Sequence, residues 1–373
     1  MDFENIEKNR EQQEEEQGKT QEKEKEKEKE KEEEEQGEEE QGEEEQGEEE
    51  QGEEQEQEQG KEQSEEDQGK EQEKTDIIQR KIKHIVISGG SIWGLSAFGI
   101  LYQAISSGFL HLDDIESFYG TSVGALIGFA TSLKIDHNTL KDYLINRPWE
   151  HVCKKSICSV LEIFDSKGLI HKNFVVEFFS PLLKSVDLDI DITMKELYEY
   201  NKIDFHIYVT ELNSFRSVDI SYKTHPDWLV IDAVWASCSI PLLFRPIIVN
   251  NDCYIDGGFF LNYPISKCIE NVENIDEILG ISLGNNENNF TPSTSIHSES
   301  SIFDLLNVLL TRVINNNTFF SNDTETKIPY HIHFFLKETT IDYCFQVLYN
   351  KNDRHDLIYN GIHAFKDKCK VWF

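Results

Sequence analysis

From Glu7 to Asp76 the chain contains no Ala, Val, Ile, Leu, Met, Phe, Trp, Tyr or Cys. A segment without apolar side chains has nothing to bury against the entropy of ordering, so any packed core must begin at about Ile77. Residues 1–75 hold 35 acidic and 11 basic side chains, a net charge of −24, whereas the rest of the 373 residues carries −11. Within this tail an EKEKEKEKE block gives way to EEEQG, repeated every five residues from Glu33 to Gly52. A five-residue period with a glycine in each copy fits neither a heptad nor a straight helix face. Residues 1–79 are therefore expected to be a disordered, solvating acidic tail, the alternative being an arm for a basic partner. The acidity also argues against nucleic acid as a partner.

The remaining stretch of about 300 residues is long enough for one large α/β domain. No run of about 18 apolar residues exists to span a membrane. MDFENIEKNR lacks the basic and apolar regions of a secretory signal, and the seven cysteines are odd in number with no CxxC pair. An intracellular chain with reduced thiols, cytoplasmic or peripheral to membranes, is the expectation.

Two strand–turn–helix units follow one another. In KIKHIVISGGSIWGLSAFGILYQAISSG, a branched run from His84 to Ser88 reads as a strand, and Leu95, Phe98, Leu101 and Ile105 recur at helical spacing up to a Gly108 cap. IESFYGTSVGALIGFATSL repeats the pattern, with a strand from about Ile115 to Tyr119 and a helix from about Val123 to Leu133. Successive βα units predict a mostly parallel sheet with helices on its faces. Further helices are expected over Asn138–Asn146, Lys172–Leu183, Met194–Asn201, His225–Cys238 and Asp356–Lys368, with an amphipathic stretch near Ile302–Val313. Strands are expected over Ile203–Leu212, Ser217–Tyr222 and Asp276–Gly284. Thr193 followed by Glu196 is a capping-box signature.

A serine hydroxyl becomes a nucleophile when a sharp turn exposes it, a base lies within reach and donors await the oxyanion. Gly120-Thr121-Ser122-Val123-Gly124 has the turn, because its glycines remove Cβ atoms at a strand-to-helix elbow. GxSxG alone is equally what an ordinary small-residue turn produces. Gly89-Gly90-Ser91, after the first strand, offers successive amides as an anion nest. As a nucleotide loop GGSIWG departs from GxGxxG at Ser91, and no acidic residue ends a second strand as a dinucleotide site requires.

The base is harder to place. His297, His331, His333, His355 and His363 all lack a neighbouring glycine turn suited to an active-site loop. His331 and His333 share a strand face, but no third metal ligand accompanies them, and neither metal nor cofactor is expected. Asp256, in CYIDGGFFLNYPI, ends a short strand before Gly257 and Gly258, where a carboxylate can take the serine proton directly. An Asp-Gly turn capping a strand is the plainer reading of that motif alone.

A glycine turn after the first strand, GTSVG after the second and DGG far downstream, in that order, resemble the patatin-like phospholipase family. HPDWLVIDAVWASCSIPLLFRP, His225 to Pro246, and GGFFLNYPI, Gly257 to Ile265, are similar to that family's connecting stretches, so the resemblance covers roughly Lys83 to Gly284. It implies a three-layer α/β/α sandwich and a catalytic core over residues 80–284; residues 285–373 show no second core and are expected to pack on the same domain. It also implies a catalytic dyad of Ser122 and Asp256, with an oxyanion loop of Gly89, Gly90 and Ser91 closed by Gly94. Gly120, Gly124, Gly257 and Gly258 support those motifs. The reaction implied is hydrolysis of acyl esters in glycerolipids or phospholipids at a membrane or lipid-droplet surface.

The sequence departs from the family at Ser91, where a third glycine is usual, and at Trp93, where a basic residue is usual. A serine keeps its amide in place only in a permissive backbone. A lost cation bears on rate and head-group preference. Leu95, Leu126, Phe244 and Phe259 are candidates for an acyl channel. A non-catalytic lipid-binding relative, or an esterase or thioesterase on soluble acyl substrates, are the competing expectations.

Overall fold

HIVI, His84–Ile87, is buried along its whole length, as befits a central strand covered on both faces. It is β1 in the computed structural model, which describes residues 81–156, 163–284, 328–336 and 340–372, with short pieces between 296 and 313. The tail, His297, Cys158 and half of the amphipathic stretch Ile302–Val313 lie outside the described residues. After β1 come α1 (Gly94–Ser106), β2 (Ser117–Thr121), α2 (Val123–Ser132), α3 (His137–Asn146), α4 (Trp149–Ser156), β3 (Gly168–Ile170) and α5 (Asn173–Ser185). The chain continues with α6 (Met194–Asn201), β4 (Asp204–Glu211), β5 (Arg216–Ile220), α7 (Val230–Ser237), β6 (Leu242–Phe244), β7 (Ile247–Val249) and β8 (Asp252–Asp256). Then follow α8 (Ile265–Asn271), β9 (Ile278–Gly284), β10 (Tyr330–Phe335), α9 (Ile341–Tyr349) and α10 (Lys351–Trp372).

Eight strands make one sheet in the order β10-β9-β1-β2-β4-β8-β7, with β5 also paired to β4. The first five run parallel, and β5, β8 and β7 are added antiparallel. β3 and β6 form a separate two-stranded parallel pair.

Side chains alternate across the sheet and separate two cores. Ile85, Ile87, Phe118, Phe205, Ile207, Val209, Leu279 and Ile281 join the larger core with the helices. Val86, Tyr119, Tyr208 and Ile278 face the other way, onto Tyr263, Ile265 and Cys268 at α8. Apolar layers on both faces make the three-layer sandwich. α10 packs on α1, where Ser96 Oγ donates to Leu357 O at 2.7 Å, so the C-terminal helix joins the larger core.

The capping box forms: Thr193 Oγ1 accepts from Glu196 N, and Glu196 Oε2 accepts from Thr193 N. The expected helix over His225–Cys238 is shorter, Val230–Ser237. Its first residues are held otherwise, with Leu229 bridged to Thr193 and the Trp228 and Pro226 carbonyls accepting from Met194 and Lys195. Tertiary pairing there overrides local helical pattern.

Candidate active site

Ser122 follows the last residue of β2 and precedes the first of α2, at φ 53°, ψ −125°. This conformation costs a non-glycine residue about 1–3 kcal/mol and persists because its surroundings enforce it. A Cβ on Gly120 would lie 2.6 Å from Ala125 N, and one on Gly124 would lie 2.3 Å from Ile87 O. Glycine is a steric requirement at both positions. The Ser122 amide donates to Ser237 Oγ at 2.8 Å, and that hydroxyl donates to Tyr208 O at 2.6 Å. Ser237 thus ties the elbow to β4, a role the sequence analysis missed. Its one local sign is a serine closing a helix shortly before Pro241.

Asp256 arrives by register. β2 pairs with β4 up to Thr121↔Tyr208, and β8 pairs with β4 from Val209↔Asp256. β5 pairs with Ile207 to Glu211 as well, so it takes the opposite edge of β4 and leaves β2 and β8 to share one edge. The two strands therefore run toward each other and end at adjacent β4 positions. Ser122 and Asp256 are delivered to the same place from more than a hundred residues apart. Gly257 fits against Tyr208 O, where a Cβ would approach to 2.2 Å, and the Gly258 amide donates to Asp256 Oδ1 at 2.7 Å.

Asp256 is 2% exposed, and its Oδ2 has no hydrogen-bond partner among the described residues. Burial raises its pKa to about 6, against the opposing pull of the Gly258 amide and the Ser122 hydroxyl. The pull of the hydroxyl favours the charged carboxylate. The same hydroxyl bears on the Cys238 thiol, which burial and the nearby Asp256 charge push strongly up and keep protonated.

The loop Gly89–Gly94 lies against the elbow: a Cβ on Gly89 would stand 3.3 Å from Ser122 Cβ and 2.3 Å from Asn262 Oδ1. The four residues do not contribute equally. The Gly89 amide is already committed to Asn262 O at 3.0 Å, and the Gly94 amide closes the 3-10 turn onto Ser91 and Ile92 carbonyls. Among the described residues the Gly90 and Ser91 amides find no backbone acceptor, and of the four they are the ones left for an incoming anion. Ser91 holds φ 54°, the region a glycine adopts freely.

Ser122, Asp256 and this loop open on a cavity of about 300 Å³. Its walls are chiefly apolar, among them Leu95, Leu126, Trp149, Phe178 and Phe244. Phe259, expected in the channel, does not line it; it is buried in the 3-10 turn after Asp256. Among the described residues no group of three or more His, Cys, Asp or Glu side chains is placed to hold a metal ion, and no helix is long and apolar enough to cross a membrane. His331 and His333 lie on β10; His333 Nδ1 shares a hydrogen bond with Ser282 Oγ at 2.6 Å.

The sequence model of the patatin-like phospholipase family matches residues 85–269. The chain is 24% identical over 213 residues to "Uncharacterized protein R571" of Acanthamoeba polyphaga mimivirus, covering 57% of this chain and 69% of that protein. It is 24% identical over 190 residues to "Probable lipid hydrolase 463L" of Invertebrate iridescent virus 6, covering 50% and 63%. Among solved structures, VipD of Legionella pneumophila is similar with a TM-score of 0.44 at 14% identity, covering 77% of this chain and 66% of that one. The chain spans about two thirds of the length of these relatives.

Proposed function

The chain carries a patatin-like phospholipase domain, and from that premise we propose that it is a lipid acyl hydrolase of phospholipase A type, cleaving fatty acyl esters of glycerolipids through Ser122 and Asp256. The observation that carries the reading is the meeting of β2 and β8 on one edge of β4, which brings a strained serine and a buried carboxylate together at an apolar cavity.

Asp256 Oδ2 takes the Ser122 proton as Oγ attacks the acyl carbonyl carbon. The oxyanion forms beside the Gly90 and Ser91 amides, donors that strengthen as charge develops. Collapse breaks the ester bond, and the departing alkoxide takes the proton from Asp256 and leaves as the lysolipid. A water molecule then gives its proton to Asp256 and its oxygen to the acyl carbon. The fatty acid leaves, and Ser122 regains the proton. A base of pKa about 6 is largely ionised at pH 7 yet more basic than an ordinary carboxylate.

Fatty acid release from phospholipid micelles by wild type, and none from Ser122→Ala or Asp256→Asn, is the expected result. Equal release by all three would remove the dyad, and no release by any would favour a lipid-binding role without catalysis. Faster turnover of short soluble esters than of aggregated lipid would instead favour an esterase. The substrate surface is a membrane or lipid droplet, and the acidic tail opposes docking on anionic lipid. Removing residues 1–75 should strengthen binding to anionic vesicles.

A further inference from the structure

The two positions that depart from the family pattern, Ser91 and Trp93, meet on one helix that lies outside the family match. Ser91 Oγ and Cys344 Sγ are hydrogen-bonded at 3.2 Å. Trp93, 1% exposed, stacks on Tyr343 with centroids 6.0 Å apart at 29°, and tilts against Phe334 of β10 at 5.8 Å. Cys344 and Tyr343 both belong to α9. On that helix Ile341, Cys344, Phe345 and Leu348, spaced as a single stripe, also wall the apolar cavity. Arg354 fixes the far end of α9: only 4% exposed, it donates to Leu348 O at 2.6 Å and to Ile145 O of α3 at 2.7 Å.

Ser91 needs holding. At φ 54° its Cβ meets a steric penalty that a glycine would not have, so the loop drifts unless another element fixes it. Its own amide and that of Gly90 are the ones left to meet an oxyanion. We propose that α9 is a working part of the site and that Cys344 is a positioning residue: it holds Ser91, and through it aligns the Gly90 and Ser91 amides with Ser122, while Trp93 anchors the same turn on Tyr343. The hydroxyl and the indole together replace the freedom of a glycine by an external clamp. This rests on the acyl-hydrolase reading of the site.

Cys344→Ala should lower kcat on a short soluble ester about threefold to tenfold, the worth of one modest hydrogen bond, with KM moved less than about twofold. The split follows because the amides act on charge present only in the transition state. A cysteine that merely packed the cavity wall would raise KM instead. Cys344→Ser should recover most of the loss. In a Ser91→Gly background, Cys344→Ala should add little further loss, since the clamped hydroxyl is gone. Losses that simply multiply in the double variant, or no loss in Cys344→Ala, would overturn the proposal.

Hydrogen exchange at the Trp93 and Gly94 amides, which close the 3-10 turn, reads the same coupling without any reaction. It should quicken at least about threefold in Cys344→Ala and stay near wild type in Cys344→Ser. Unchanged exchange in Cys344→Ala would sink the clamp. An inert wild type would sink the hydrolase reading, and the exchange rates would still decide the clamp.

Discussion

Two carboxylate sites lie along β4, Asp204 at its start and Asp256, the last residue of β8, beside Val209 further along, and the two are treated oppositely. At its start, His206 lies between Asp204 (Nε2–Oδ1 3.3 Å) and Asp219 (Nδ1–Oδ2 2.8 Å), Lys223 reaches Asp204 at 2.6 Å, and the imidazole stacks on Tyr119 at 4.3 Å. Burial works against the imidazolium, but the two carboxylates outweigh it and raise the His206 pKa to about 9. Beside Val209, Asp256 has one amide donor and, among the described residues, no ion-pair partner, and burial raises its pKa to about 6. A buried charge with counter-charges around it is costly to break, because removing one partner leaves the other uncompensated. One left without them is held in a high-energy state that chemistry can use.

The sharpest way to break this contrast is at the hydroxyl. Ser122→Ala should cut ester hydrolysis by about a thousandfold or more while the protein stays folded, read by turnover and circular dichroism. His206→Ala should do the reverse, losing about 2–4 kcal/mol of unfolding free energy in urea while turnover per folded molecule is kept. Asp256→Asn should abolish turnover yet gain about 1–3 kcal/mol at pH 7, because a neutral amide needs no desolvated charge. If it lost stability as His206→Ala does, the two would be ion sites of one kind.

The pH dependences separate them too. With its folded pKa raised above the unfolded value, His206 contributes stability that is fully present below about pH 6.5 and lost as pH rises through about 9. Asp256 is also raised, so its contribution to stability is likewise lost as pH climbs through about 6, while activity appears over that same interval. Turnover should fall about tenfold from pH 7 to pH 5 on an otherwise folded enzyme. A flat profile would mean that Asp256 is not the base.

The local motifs were readable in advance because they answer to backbone sterics. Gly120 and Gly124 announce a turn that tolerates no Cβ, Gly108 a left-handed cap at φ 76°, and Thr193 with Glu196 a helix start; each appears as expected. Where a partner from elsewhere intervened, local pattern misled. His225–Leu229 looked helical but pairs with the start of α6, and Phe259 looked like channel wall but is buried in the turn after Asp256. Ser237 and Cys344 carried no motif at all, since their importance lies in what they touch across the chain.

Residue identity alone determined where the core could start, that a βα repeat would build a parallel sheet, and which serine sits on a strained elbow. These follow from burial and from sterics within a few neighbouring residues. Only the tertiary structure decided that β8 would continue the β4 edge where β2 stops, that Gly90 and Ser91 rather than Gly89 keep free amides, and that α9 would close over them. Strand register and hydrogen-bond competition are settled between segments distant in the chain, and no short stretch contains them.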